Sequence, residues 1–176
     1  MRKITFMVFL LGWTVSCAPF SGEVMQEVDK TLTFEEVQKN PDAYQGKTVL
    51  WGGLIIETTN RQKETILKVR ETELDMEKRP TNMDRSKGRF LIRYTGFLDP
   101  LLYKEGREVT AVGEIGGAEI LPVGNSQYSY PVVLAREIHL WERVPEYYPM
   151  NPPWYWDPFP YGWYRYPYWR RGPYGW

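Results

Sequence analysis

The side chain with the most distinctive chemistry is Cys17, the only cysteine among 176 residues. It ends a charge-free run, Ile4 to Val15, that follows Met1-Arg2-Lys3, and the residue before it, Ser16, is small. A basic start, a short apolar stretch and a small residue at the cut make an export signal. Spanning a bilayer takes roughly 20 apolar residues, so the run reads as a leader rather than a permanent helix. A lone thiol forms no internal disulfide, and the exported domain must be held together by its core. Other reactive groups are sparse. His139 is the single histidine, and a Cys–His pair would need a cysteine that sits outside the domain. A Ser-His-Asp arrangement would also have to use His139, which falls in a strand-like segment. Asp99, Glu114 and Glu137 could in principle do paired carboxylate work on glycans, but a solvated face or loop is the favoured account of them. Gly52-Gly53 and Gly116-Gly117 lack the helix and lysine of a phosphate-cradling loop. No His or Cys cluster is spaced for a transition metal. The expectation is a non-enzyme without a cofactor.

The first seventeen residues resemble the signal of bacterial lipoproteins. By that resemblance Cys17 takes a diacylglyceryl group, the peptide is cut before it, and the new amine receives a further fatty-acyl chain. Thr14, Val15 and Ser16 stand where the pattern has Leu, a small residue, and Gly or Ala. An ordinary secretory leader beside a free cysteine is the alternative. Ala18 follows the cysteine where an Asp would mark inner-membrane retention, so the resemblance implies sorting to the outer membrane.

Charge excludes one class of partner. The chain carries 22 Lys and Arg against 22 Asp and Glu, which leaves no electrostatic footprint for nucleic acid. The aromatic side chains are placed unevenly. Residues 145–176 hold eight Pro, eight Tyr, five Trp and one Phe. Prolines every few residues block helix and ladder alike, which predicts an extended, polyproline-like tail over 143–176. Trp and Tyr combine an apolar ring with a polar handle and suit membrane interfaces. Trp154, Trp156, Trp163, Tyr164, Arg165, Tyr166, Trp169, Arg170 and Arg171 are therefore candidates to touch membrane lipid, an envelope glycan or another envelope protein.

The elements between these ends are short. Residues 17–32 show little apolar periodicity and read as a lipidated tether after the 1–16 leader. Thr33-Phe34-Glu35-Glu36 is a capping box opening a small helical piece, with Phe34 and Val37 facing inward. Pro41 ends it, and Gly46 suits a left-handed residue. Thr48 to Thr59 is the strongest strand, and Gly52-Gly53 inside it marks a bend. Glu64 to Glu71 alternates and forms a hairpin with it. Thr72 to Lys87 is a loop, and Phe90, Ile92 and Tyr94 define a third strand. Glu108 to Ile115 is a fourth, with a turn expected at Gly116-Gly117. Tyr130 to Trp141 is the last, its inward face left open. Trp51, Phe90, Tyr94 and Trp141 read mainly as core packing. Five strands with glycine bends predict a mostly β domain over 33–142, a small OB-like antiparallel barrel that hides its edges. A sandwich is the alternative.

Several separated blocks then carry a family likeness. They are Gly46-Lys47-Thr48-Val49-Leu50-Trp51-Gly52-Gly53, Gly88-Arg89-Phe90, Gly96-Phe97-Leu98-Asp99-Pro100, Tyr103, Gly106-Arg107-Glu108-Val109-Thr110, Gly113, Tyr130-Pro131-Val132 and Leu140-Trp141. Across residues 33–142 the sequence resembles the Slp family of starvation-inducible outer-membrane lipoproteins. The resemblance implies a lipid-anchored envelope protein of stationary phase and stress, with no catalytic residues to carry over. A periplasmic module binding a glycan or small ligand is the competing expectation.

Overall fold

The computed structural model describes residues 18–143. Cys17 and the aromatic tail residues lie outside them. The element order is α1 (Gly22–Glu27), α2 (Phe34–Lys39), a 3-10 turn (Pro41–Tyr44), β1 (Thr48–Asn60), β2 (Glu64–Thr72), β3 (Arg89–Thr95), β4 (Glu108–Val123) and β5 (Ser126–Leu140). The strands close in the order β1-β2-β3-β5-β4, an OB-like barrel and not a sandwich. Four of its five seams are antiparallel, and the fifth is not. β3 runs parallel to β5, Leu91 beside Val132 through Tyr94 beside Ala135, because β5 leaves a tight hairpin with β4 and returns along the open edge of β3.

β1 holds the barrel together by pairing twice. Its first half pairs with β4 and its second half with β2, with both neighbours engaged at Gly52, Gly53 and Leu54. A Cβ on Gly53 would stand 1.9 Å from the Arg70 carbonyl oxygen, so the strands can cross this closely only over glycine. The register shift itself falls two residues later, between Ile55 and Glu57.

Gly116-Gly117 is a bulge inside β4 instead of the expected turn. The strand continues to Val123, and the chain reverses at Gly124, where φ is 57°. The added hairpin folds over the outer wall, where Leu121, Val123 and Tyr128 meet Ile66, Leu91, Tyr130 and Val132. A second bulge sits in β5, where Val112 faces Glu137 but the next residue, Gly113, faces Ala135. The extra residue is Arg136. Val133 and Ala135 point inward before it, and Ile138 and Leu140 after it. A face that changes side midway explains why β5 shows no clean period of two.

The interior is filled by apolar side chains. Phe34 of α2 closes one end and packs edge-on against Trp51 at 4.9 Å and Phe90 at 6.1 Å. Its helix is fixed by the capping box, in which Thr33 and Glu36 bond each other's backbone N–H. Leu98 of the β3–β4 loop plugs the opposite end, where Thr65 Oγ1 accepts its N–H at 3.0 Å.

The segment expected as a tether is mostly docked. Phe20 is buried, the Ser21 N–H and hydroxyl both donate to Glu137, and Glu27 pairs with Arg136. Val28 then bridges in parallel to Thr48, and the Asp29 N–H donates to the Thr48 carbonyl. Residues 20–32 are thus a strap down the barrel wall. Only Phe20 among its large apolar residues is fully buried, and a single anchor leaves no periodicity to read.

Candidate functional site

The outer wall carries charges, and the inside is dry. Lys68 pairs with Glu57 at 2.7 Å, Arg93 with Glu119 at 2.6 Å, and Arg136 with both Glu27 and Glu114. A barrel that spans a membrane has the reverse arrangement, an apolar outer band. This barrel is built to stand in water. Among the described residues no helix is long and apolar enough to cross a membrane either.

Each side chain considered for catalysis has a structural occupation. Asp99 Oδ1 accepts the Leu101 N–H at 2.8 Å and shapes a turn. Glu114 pairs with Arg136, and Glu137 holds Ser21. The three sit on the β3–β4 loop, β4 and β5 with separate partners. His139 is packed edge-on between Phe20 at 6.2 Å and Trp141 at 4.4 Å. Trp51 and Phe90 are core residues, and Tyr94 packs partly buried against them.

A cleft of about 490 Å³ opens between the strap and the end of β2. Leu32, Phe34, Trp51, Glu71, Thr72 and Lys87 line it, and no His, Ser or Cys does among the described residues. Sequence reading passed over its central group, Glu71, because a carboxylate at a strand end looks solvated. Here Glu71 is 7% exposed, and its Oε2 accepts the Lys87 N–H at 2.9 Å. Burial raises its carboxyl pKa above the usual value, while the Lys87 backbone bond pulls the other way. Lys87 Nζ turns instead to Glu35, at 3.0 Å. The cleft therefore holds an acid under the strain of burial, its described hydrogen bond coming from a backbone N–H.

That strain has a measurable sign. A carboxyl easier to protonate when folded than when unfolded gives stability that grows as pH falls from neutral through its folded pKa. Glu71→Gln keeps an acceptor for Lys87 and removes the buried charge. The variant should melt higher than wild type at pH 7, and the gap should shrink by pH 5. Parallel melting curves at both pH values would assign the burial cost elsewhere.

A second cleft, of about 550 Å³, is lined by Ala18, Pro19, Glu77, His139 and Trp141. Trp141 Nε1 donates to Thr110 Oγ1 at 2.9 Å, and the Arg79 guanidinium lies 5.7 Å over its ring. Arg79 also pairs with Glu108 at 2.6 Å and donates to the Glu142 carbonyl at 3.1 Å. The first and last parts of the described chain meet here.

The chain matches the family described as "Outer membrane lipoprotein Slp family" over residues 14–174. It belongs to that family. The match runs through Cys17 and most of the Pro- and aromatic-rich segment, a wider span than the 33–142 likeness. Relatives agree with the assignment. The chain is 34% identical to the "Uncharacterized lipoprotein YeaY" of Escherichia coli (strain K12) over 132 residues, which are 75% of this chain and 67% of the relative. It is 30% identical to an uncharacterized protein of Haemophilus influenzae over 142 residues, 79% and 76% of the two chains. To the "Outer membrane protein Slp" of Escherichia coli it is 29% identical over 138 residues, 78% and 72%. The Slp-family assignment makes the chain an outer-membrane lipoprotein. Two of these names describe lipid attachment or location.

Proposed function

We propose that this Slp-family protein is a non-enzymatic lipoprotein, held in the outer membrane by acyl chains on Cys17 and serving envelope maintenance in stationary phase or stress. The barrel stands on the periplasmic side, and the 143–176 segment touches membrane lipid, an envelope glycan or a neighbouring protein. The observation that carries this reading is the family match running through Cys17, the sole thiol, which follows a basic start and a charge-free apolar run. Two or more acyl chains anchor stably without help, so the tail is free to serve contact. Its Trp and Tyr side chains suit a surface that is dry on one side and wet on the other.

Mass spectrometry of the mature N-terminus tests the anchor. The expected species begins at Cys17 and carries acyl chains on sulfur and amine, and a bare or different N-terminus refutes it. Deleting residues 145–176 should leave the circular dichroism of the barrel unchanged, because the described strands end at Leu140. In an unacylated Cys17→Ser background, co-sedimentation of that variant with liposomes or peptidoglycan should fall severalfold, and unchanged sedimentation removes the tail from the mechanism. A second reading, a module for a glycan or small ligand, draws on the 490 Å³ cleft with its apolar wall of Phe34 and Trp51. It requires a retained molecule in native mass spectrometry.

A further inference from the structure

The end of the barrel where Ala18 and Trp141 meet also carries exposed apolar side chains. Phe20 contacts His139, His139 contacts Trp141, and the Arg107 guanidinium joins the Trp141 carbonyl at 2.8 Å to the Leu102 carbonyl at 3.2 Å. The strap's start, the end of β5 and the β3–β4 loop are therefore tied together at this end. On that loop Leu101 is 79% exposed, Leu102 54% and Phe97 72%. Met76 stands 94% exposed beside Glu77, which shares the cleft with Ala18. The leucines are held out by a built turn, in which Asp99 accepts the Leu101 N–H through its side chain and the Leu102 and Tyr103 N–H groups through its carbonyl. Exposed apolar side chains grouped this way mark a contact surface.

We propose that this end of the barrel rests on the lipid bilayer, with Leu101 and Leu102 at the boundary between headgroups and acyl chains and Phe97 and Met76 beside them. The proposal rests on acylation of Cys17 as read above, and the occupant follows from chain length. Phe20 is buried against the barrel, and three residues of extended chain reach roughly 10 Å. An acyl group on Cys17 therefore keeps Phe20 and the cleft at His139 and Trp141 close to the headgroups, on the side of the barrel to which Arg107 ties the Leu102 turn. Amphipathic surfaces bound this way sink about 5–10 Å into the interface, deep enough for a leucine side chain. Basic and acidic residues alternate around the patch, with Lys104 and Arg107 near Asp99 and Glu105. The contact is therefore apolar in origin and should resist salt.

The test uses the full acylated protein in phosphatidylethanolamine–phosphatidylglycerol vesicles. A photoreactive side chain is installed singly at Leu101, at Leu102, or at Lys39, which is exposed on the helix that closes the opposite end. After illumination, lipid adducts should form about tenfold more at 101 and 102 than at 39, as expected for side chains inside and outside the interface. The N-terminal mass of the same sample separates the two readings. Acylated Cys17 with equal labelling at all three positions overturns the bilayer contact and leaves the anchor standing. A bare Cys17 overturns both. Protein dimers joined through 101 or 102 in place of lipid adducts overturn it in favour of a second copy of the chain.

Discussion

Replacing Cys17 with Ser should abolish acyl labelling and move the protein out of the outer-membrane fraction. A serine hydroxyl is nearly isosteric but is not ionised near neutral pH, whereas the proposed acylation uses the thiolate as its nucleophile. Each buried methylene contributes about 0.8 kcal/mol, so losing two or more chains removes the dominant membrane attachment. On the proposed function, what remains is the aromatic segment and the apolar barrel end, both reversible contacts. Fractionation of cells with parallel fatty-acid labelling reads the result. The barrel should fold normally, since its core lies between Phe34 and Leu140 and its strap docks from Phe20 onward. Unaltered recovery of the Ser variant in the outer membrane would mean that something other than acylation holds this protein.

Phe90→Ala should be the most damaging single change to the fold, costing about 3–5 kcal/mol as buried aromatic truncations do. The ring is fully buried, 5.5 Å from Trp51 and 6.1 Å from Phe34. Those partners come from different elements, so the cavity falls where α2, β1 and β3 meet. Neither partner can collapse into it easily, because Trp51 is fixed by pairing on β1 and Phe34 by its capping box. Small domains are stable by about 5–15 kcal/mol, so the variant should lose a large share of its margin. Urea unfolding gives the difference directly. A loss under 1 kcal/mol would show that the three-ring cluster is not the centre of the core.

Much of this architecture was legible before any coordinates. The capping box at Thr33, the inward pair Phe34 and Val37, the β1–β2 hairpin and the third strand rest on local rules about caps, turns and alternation. The closed five-strand barrel followed from counting strands whose edges needed covering. Three features escaped local reading, each for a nameable reason. Gly116-Gly117 looks like a turn and is a bulge, because which one forms depends on what β5 presents opposite. The inward face of β5 changes at Arg136, and a period of two cannot show a residue that is skipped. Residues 20–32 look like linker because a single buried ring and a few ion pairs leave no periodic trace.

The functional side divides the same way. From order along the chain alone came the expectation of a leader, the lone thiol, the sparseness of reactive groups, the aromatic segment and the family likeness, since each depends on residue type and spacing. Only the fold decided that Glu71 is buried, that His139 is a packing residue, and that Ala18, Trp141 and Leu102 share one end of the barrel. Those facts join residues up to 123 positions apart. Strand closure brings them together, and no local pattern records which distant segments a closed sheet makes neighbours.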